Sequence, residues 1–205
     1  MDVTLELAAR AVTIGACLGQ LAAGVAVLIR ERLVPRPAPM ERETGLLGLV
    51  NYVGIGSFIV IGLGVAVSGV GALLGLAEPL GAALRVIGMA VLAGAGIVAT
   101  WAVRTMGKHL VAPAEVRPDT ELVTTGPFGV VRHPLYLSVL MLWAGGTLAL
   151  LSPVLAIGLV LVVPAFYLRA RAEERMLTRH FGAGYTAYAT RVPMLRPRIG
   201  GRTGS

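Results

Sequence analysis

The sequence predicts an all-α polytopic membrane protein of five transmembrane helices, the last two a short helical hairpin, followed by a cytoplasmic C-terminal amphipathic helix. Three observations carry this expectation. Hydrophobic residues make up 56% of the chain and charged residues only 14%, against roughly 25% charged in a soluble domain, and the mean hydropathy is +0.78. The apolar residues gather into long runs separated by polar breaks. Lys and Arg are concentrated in alternate breaks, as they are when every second loop faces the cytoplasm.

Leu7 to Ile29 forms the first span, long enough at about 1.5 Å per residue to cross a hydrocarbon core of about 30 Å. Asp2 and Glu6 precede it and a basic leader is absent, which argues against a cleaved signal peptide. The single cysteine, Cys17, lies inside this span; it excludes an intramolecular disulfide and reads as a small packing residue. Arg30 to Glu43 is charged and carries Pro35, Pro37 and Pro39, so it reads as a loop. Leu46 to Leu76 is longer than one crossing requires and is glycine-rich, which predicts tilt or extension beyond the bilayer. Glu78 and Pro79 mark a turn, and Leu80 to Val103 forms the third span, where Gly88, Gly94 and Gly96 allow neighbouring backbones to approach.

Val111 to Arg132 contains Pro113, Pro118, Asp119, Glu121 and Pro127 and reads as an irregular loop. At about twenty residues it belongs to a length class that is usually functional or disordered. Leu135 to Leu151 and Val154 to Leu168 then form the hairpin around Ser152 and Pro153, with Pro164 as a possible kink. If the tail continues as one helix, Arg169, Glu173, Leu177, Phe181, Tyr185 and Tyr188 share a face, while Arg175 and Arg179 face headgroups. Gly182 and Gly184 are candidate breaks, and Ile199 to Ser205 is expected to fray.

The charge count sets the orientation. Arg30, Arg32, Arg36 and Arg42 follow the first span, Arg104, Lys108, Arg117 and Arg132 follow the third, and eight arginines follow the fifth. The intervening turns carry none, so the N-terminus is expected outside and the C-terminus in the cytoplasm. The net charge of +7 is accordingly read as topology and contact with membrane lipids, with no nucleic-acid partner. The chain divides into a three-span region, residues 1–110, and a C-terminal region of loop, hairpin and tail, residues 111–205, within one integrated domain. No P-loop, zinc-protease helix or Ser-His-Asp arrangement occurs, and metal-ligand spacing is absent.

Polar chemistry is concentrated in two strings, LVTTGPFGVVRHPLY from Leu122 to Tyr136 and RARAEERMLTRHFGAGYTAY from Arg169 to Tyr188. Pro134 suits the first turn of a helix and holds the preceding residue extended, which presents Arg132 and His133 at a helix mouth. Glu173 and Glu174 are adjacent, about 100° apart on a helix, so one of them is expected to look into a site. The bland alternative pairs them with Arg169 and Arg171 along the helix, worth a few tenths of a kcal/mol each. His109 and His180 read as surface residues.

Together the two strings resemble the C-terminal signature of the isoprenylcysteine carboxyl methyltransferase family, integral membrane enzymes that use S-adenosylmethionine and whose wider relatives include phospholipid N-methyltransferases. The likeness runs from about Thr105 to Pro197. It implies that Leu122, Val123, Phe128, His133, Pro134, Leu135 and Tyr136 cradle the cofactor together with Glu173 and Glu174. It also implies that Arg169 orients the acceptor's carboxylate, so that Arg169 and Glu173 form the catalytic pair. Phe128 stands where tyrosine is usual and Ser138 where glycine is usual. Gly94 and Gly96 form a GxG that contributes to the cofactor site in phospholipid N-methyltransferases; helix packing is the reading preferred for it here. The resemblance implies methylation of the carboxylate of a prenylated or other lipidic acceptor, with S-adenosylhomocysteine as product. N-methylation of an amine headgroup and a non-catalytic membrane scaffold are the alternatives.

Overall fold

The computed structural model describes residues 3–33, 41–42, 46–68, 79–107, 115–116 and 121–196. The expectations placed on Pro35, Arg36, Pro37, Pro39, Glu78, Lys108, His109, Pro113, Arg117, Pro118 and Asp119, on residues 69–76 and on the tail from Ile199 lie outside the described residues. Among the described residues the α-helices are, in order, α1 Val3–Leu33, α2 Leu46–Ser68, α3 Leu80–Met106, α4 Pro134–Leu150, α5 Pro153–Phe181 and α6 Ala183–Arg191. A two-residue strand β1, Glu41–Arg42, pairs antiparallel with β2, Glu115–Val116. Among the described residues, three helical segments are long and apolar enough to cross a membrane, Val3–Ala26, Leu80–Met106 and Pro153–Phe181, and Val53–Ser68 and Pro134–Leu150 are shorter apolar helices.

Several boundaries differ from the expectation. α1 continues past Ile29 to Leu33, and α3 runs past Val103 to Met106. The stretch expected to be wholly irregular before Arg132 contains β2 and a 3₁₀ turn at Gly126–Gly129. The largest correction concerns α5, where the short hairpin arm and the separate tail helix are one 29-residue helix. The polarity changes at Arg169 but the backbone has no reason to stop there, because Arg, Ala, Glu, Met and Leu are all strong helix formers. The break comes at Gly182, whose φ of 53° favours a residue without Cβ. Tyr185 and Tyr188 therefore sit on α6, and Gly184 lies within that helix.

The centre of the molecule is the antiparallel contact of α3 with α4. A side chain on Gly88 would collide with the Ala149 backbone, and one on Gly145 would come within 2.9 Å of Leu92 N. Gly94 packs against Met141, whereas Gly96 has nothing within 4 Å. Arg85, buried in α3, donates from Nη1 to the Ala149 carbonyl at 3.0 Å, near the C-terminal end of α4. Trp143 joins three helices: its Nε1 donates to the Gly54 carbonyl on α2 at 3.1 Å, and its ring meets Phe58 edge-on and lies tightly against Gly158 of α5. Cys17 is buried in the same core. Large apolar side chains such as Val60, Ile97 and Val160 point outward at 72%, 68% and 71% exposure, an arrangement suited to lipid rather than water.

Candidate active site

The loop before α4 is anchored at each end. Gly126 adopts φ 59°, and a Cβ there would lie 2.8 Å from Thr105 Oγ1, so the chain passes close against the end of α3 only as glycine. Pro127 is the second residue of the 3₁₀ turn, and the carbonyl of the buried Phe128 accepts the Tyr188 hydroxyl at 2.7 Å. The backbone N–H groups of Arg132 and His133 donate to the carbonyls of Pro193 and Met194 at 2.9 and 3.1 Å. Pro134 then opens α4, as its fixed φ predicts.

The two polar strings meet at this helix mouth. Arg132 holds Glu174 Oε1 from Nε at 2.7 Å and from Nη2 at 2.6 Å. Its Nη1 donates to the carbonyls of Ala189 and Val192 at 2.7 and 2.5 Å, which caps the end of α6. His133 lies between the two carboxylates, with Nε2 3.3 Å from Glu174 Oε1 and Nδ1 3.8 Å from Glu173 Oε2. Tyr136 stacks on His133 with ring centroids 5.2 Å apart and donates its hydroxyl to Glu173 Oε2 at 2.5 Å. The same hydroxyl accepts from Arg169 Nε at 2.9 Å, and the Arg169 guanidinium lies 5.7 Å from the Tyr136 ring centroid. Arg169 is wholly buried, and Phe166 backs the Tyr136 ring edge-on.

The structure thus joins Arg132, His133, Tyr136, Arg169, Glu173 and Glu174 into one connected cluster. Both of the paired carboxylates reach the first polar string, because His133 and Tyr136 together span the angle between them. Glu174 takes its partner from 42 residues upstream. Leu122, Val123 and Leu135 are half-buried, and Phe128 is tied to the site's frame through Tyr188. The buried Ser138 turns its hydroxyl onto its own helix, to the Leu135 carbonyl at 2.7 Å. His180 is exposed, against Phe181.

Two elements of this site were not assigned from the sequence. Arg132 is its main structural tie, and the signal for it was the same Arg-His-Pro triplet that pointed to His133. Tyr185 and Tyr188 are buried at 2% and 4% exposure on α6; their three-residue spacing after a helix-breaking glycine was the clue. Burial pushes both phenols up, Tyr188 to about 12 and Tyr185 further.

Residues 84–184 match the family described as Phospholipid methyltransferase. The chain is also 36% identical over 96 residues to Protein-S-isoprenylcysteine O-methyltransferase B of Arabidopsis thaliana, covering 45% of this chain and 48% of that protein. Through this region the chain belongs to the isoprenylcysteine and phospholipid methyltransferase family. Other relatives of the family region have different names. The nickel-cobalt-cadmium resistance protein NccN of Alcaligenes xylosoxydans xylosoxydans is 38% identical over 87 residues, 40% of this chain and 39% of its own length. The cobalt-zinc-cadmium resistance protein CzcN of Cupriavidus metallidurans is 37% identical over 87 residues, 40% and 38% respectively. The matched segments therefore span less than half of each relative. Among the described residues no group of three or more His, Cys, Asp or Glu side chains comes together to hold a metal ion.

Proposed function

We propose that this chain is an integral membrane methyltransferase that takes its methyl group from S-adenosylmethionine and transfers it to the carboxylate of a prenylated or other lipidic acceptor. The observation that carries the reading is the convergence of the Leu122–Tyr136 loop and the α5 carboxylates on His133. The residues present fit the cofactor by their chemistry. Glu173 and Glu174 are acceptors for an amino group and for ribose hydroxyls. Phe128 and Tyr136 offer aromatic rings, a surface suited to a cationic group. Leu122, Val123, Pro134 and Leu135 complete an apolar wall with His133. When bound, S-adenosylmethionine supplies a methyl group made electrophilic by its sulfonium.

The remaining chemistry belongs to the chain's own residues. A carboxylate acceptor is already an anion at neutral pH, so the site must orient it and exclude water; no proton need be removed. Arg169 suits that task, because a planar guanidinium pairs bidentately with a carboxylate and Tyr136 fixes its Nε. The outward apolar faces of α5, including Leu161 and Leu168, give a lipidic acceptor a route from the bilayer. In this reading α2 and α4 complete five crossings with the N-terminus outside, which places the cluster on the cytoplasmic side where a soluble cofactor is available.

The phospholipid methyltransferase match favours a second reading, N-methylation of an amine headgroup. That acceptor must lose a proton, and His133 between two carboxylates is the group placed to take it. Saturable binding of S-adenosylhomocysteine to the purified protein, lost in Glu173→Ala, is the expected result for either chemistry. Methylation of a prenylated cysteine that disappears in Arg169→Ala supports the carboxylate reading, and amine-lipid methylation that survives Arg169→Ala supports the second. A protein that binds no cofactor at all is a scaffold, and both readings fail.

A further inference from the structure

A buried polar atom on α6, beside the cluster, stands out. Tyr185, on α6, is 2% exposed, and its hydroxyl has no hydrogen-bond partner among the described residues. A buried hydroxyl in that condition lowers the stability of the protein that carries it unless something else satisfies it. The contrast with Tyr188, three residues on, is informative. The two rings meet edge-on at 5.9 Å, yet the Tyr188 hydroxyl is satisfied by the Phe128 carbonyl at 2.7 Å. α6 is held in place by Arg132 on the carbonyls of Ala189 and Val192, so the position of Tyr185 is set by the same residue that holds Glu174. After burial, the charges acting on the Tyr185 phenol are those of Glu174, Arg132 and Glu173. Burial and the Glu174 charge both push this phenol up, so it serves as a donor on the helix that Arg132 ties to Glu174.

We propose that the Tyr185 hydroxyl is a further binding group of this site, donating to the carboxylate of the amino-acid end of the bound methyl donor. The inference rests on the S-adenosylmethionine reading above. The cofactor's amino group and carboxylate share one carbon atom, so a donor beside the glutamates that receive the amino group is placed to receive the carboxylate. The glutamates supply acceptors only, and the Nε and both Nη groups of Arg132 are engaged by Glu174, Ala189 and Val192. Tyr185 supplies the donor that a zwitterion requires.

Tyr185→Phe removes one oxygen and keeps the ring, so it is the discriminating variant. With the full chain in lipid nanodiscs, calorimetry is expected to show S-adenosylhomocysteine binding weakened about three- to tenfold, the scale of one hydrogen bond. Binding of 5′-methylthioadenosine, which lacks the amino-acid end, is expected to be unchanged. Thermal unfolding without ligand is expected to be no lower than in the wild type, because the deleted oxygen had no partner to lose. Unaltered S-adenosylhomocysteine affinity in the variant overturns the inference, as does an equal loss for both ligands. A lower ligand-free unfolding temperature also overturns it, by revealing a structural partner. Wild-type protein that binds neither ligand overturns the methyl-donor reading, and this inference with it.

Discussion

Arg132 and Glu174, 42 residues apart in sequence, are joined through both Nε and Nη2 of one guanidinium, whose third nitrogen caps the end of α6. A single side chain therefore ties the loop before α4 to α5 and to α6. Arg132→Ala strands a largely buried carboxylate and two helix-end carbonyls, and the expected loss is about 2–4 kcal/mol of stability. Arg132→Lys is expected to lose nearly as much, because an ammonium on a flexible stem cannot reproduce the fork. Thermal unfolding in detergent checks both, and faster proteolysis beyond Phe181 reports the release of α6. Unchanged unfolding in both variants would remove this tie from the account.

The two adjacent carboxylates are expected to behave differently when neutralised. Glu174 is engaged by Arg132 and by His133 at 3.3 Å, whereas Glu173 accepts the Tyr136 hydroxyl and lies 3.8 Å from His133 Nδ1. Glu174→Gln should therefore lower the unfolding temperature. Glu173→Gln should leave it within a degree or two and weaken S-adenosylhomocysteine binding about tenfold or more, the scale of a charge-assisted bond. Paired melting and binding curves decide the matter, and the reverse pattern would exchange the two roles.

The helix mouth at Pro134 was legible because proline restricts both itself and its neighbour, a local rule that tertiary contacts seldom override. The unity of α5 was not, since hydropathy marks where a helix leaves lipid and says nothing about where it stops; Gly182 carried that information. The pairing of both glutamates with the loop was equally hidden. Helical geometry correctly separates the two side chains by direction, but the width of the partner surface offered by His133 and Tyr136 arises only when α4 packs beside α5. Arg85 illustrates the other limit. A lone arginine in an apolar run gives no hint that its partner is the Ala149 carbonyl, 64 residues later.

The glycines of α3 separate packing from ligand binding. Gly88→Ala forces a methyl group into the Ala149 backbone, and an overpacked helix contact of this kind is expected to cost about 1–3 kcal/mol or more. Gly96→Ala meets nothing within 4 Å and gains helix propensity, so stability should be equal or higher by up to about 1 kcal/mol. Cofactor affinity in Gly96→Ala is expected to match the wild type, and a marked loss would restore the GxG to the cofactor site.

The alkaline limit of the fold should be set in part by α6. The Tyr188 phenol is raised from 10.0 to about 12, chiefly by burial, so the native state keeps a proton that the unfolded chain releases. A raised folded value contributes stability that is complete below pH 10 and is lost as pH climbs through about 12. Tyr185, shifted in the same direction, adds to the same loss. Unfolding temperature followed from pH 8 to 12 should therefore fall above pH 10. Tyr188→Phe should flatten that fall, while costing about 1 kcal/mol at neutral pH through the stranded Phe128 carbonyl. Absorbance of tyrosinate near 295 nm follows the same protons directly: the late-titrating fraction should shrink in Tyr188→Phe, and a titration identical to wild type would show that this phenol is not held in its neutral form by the fold.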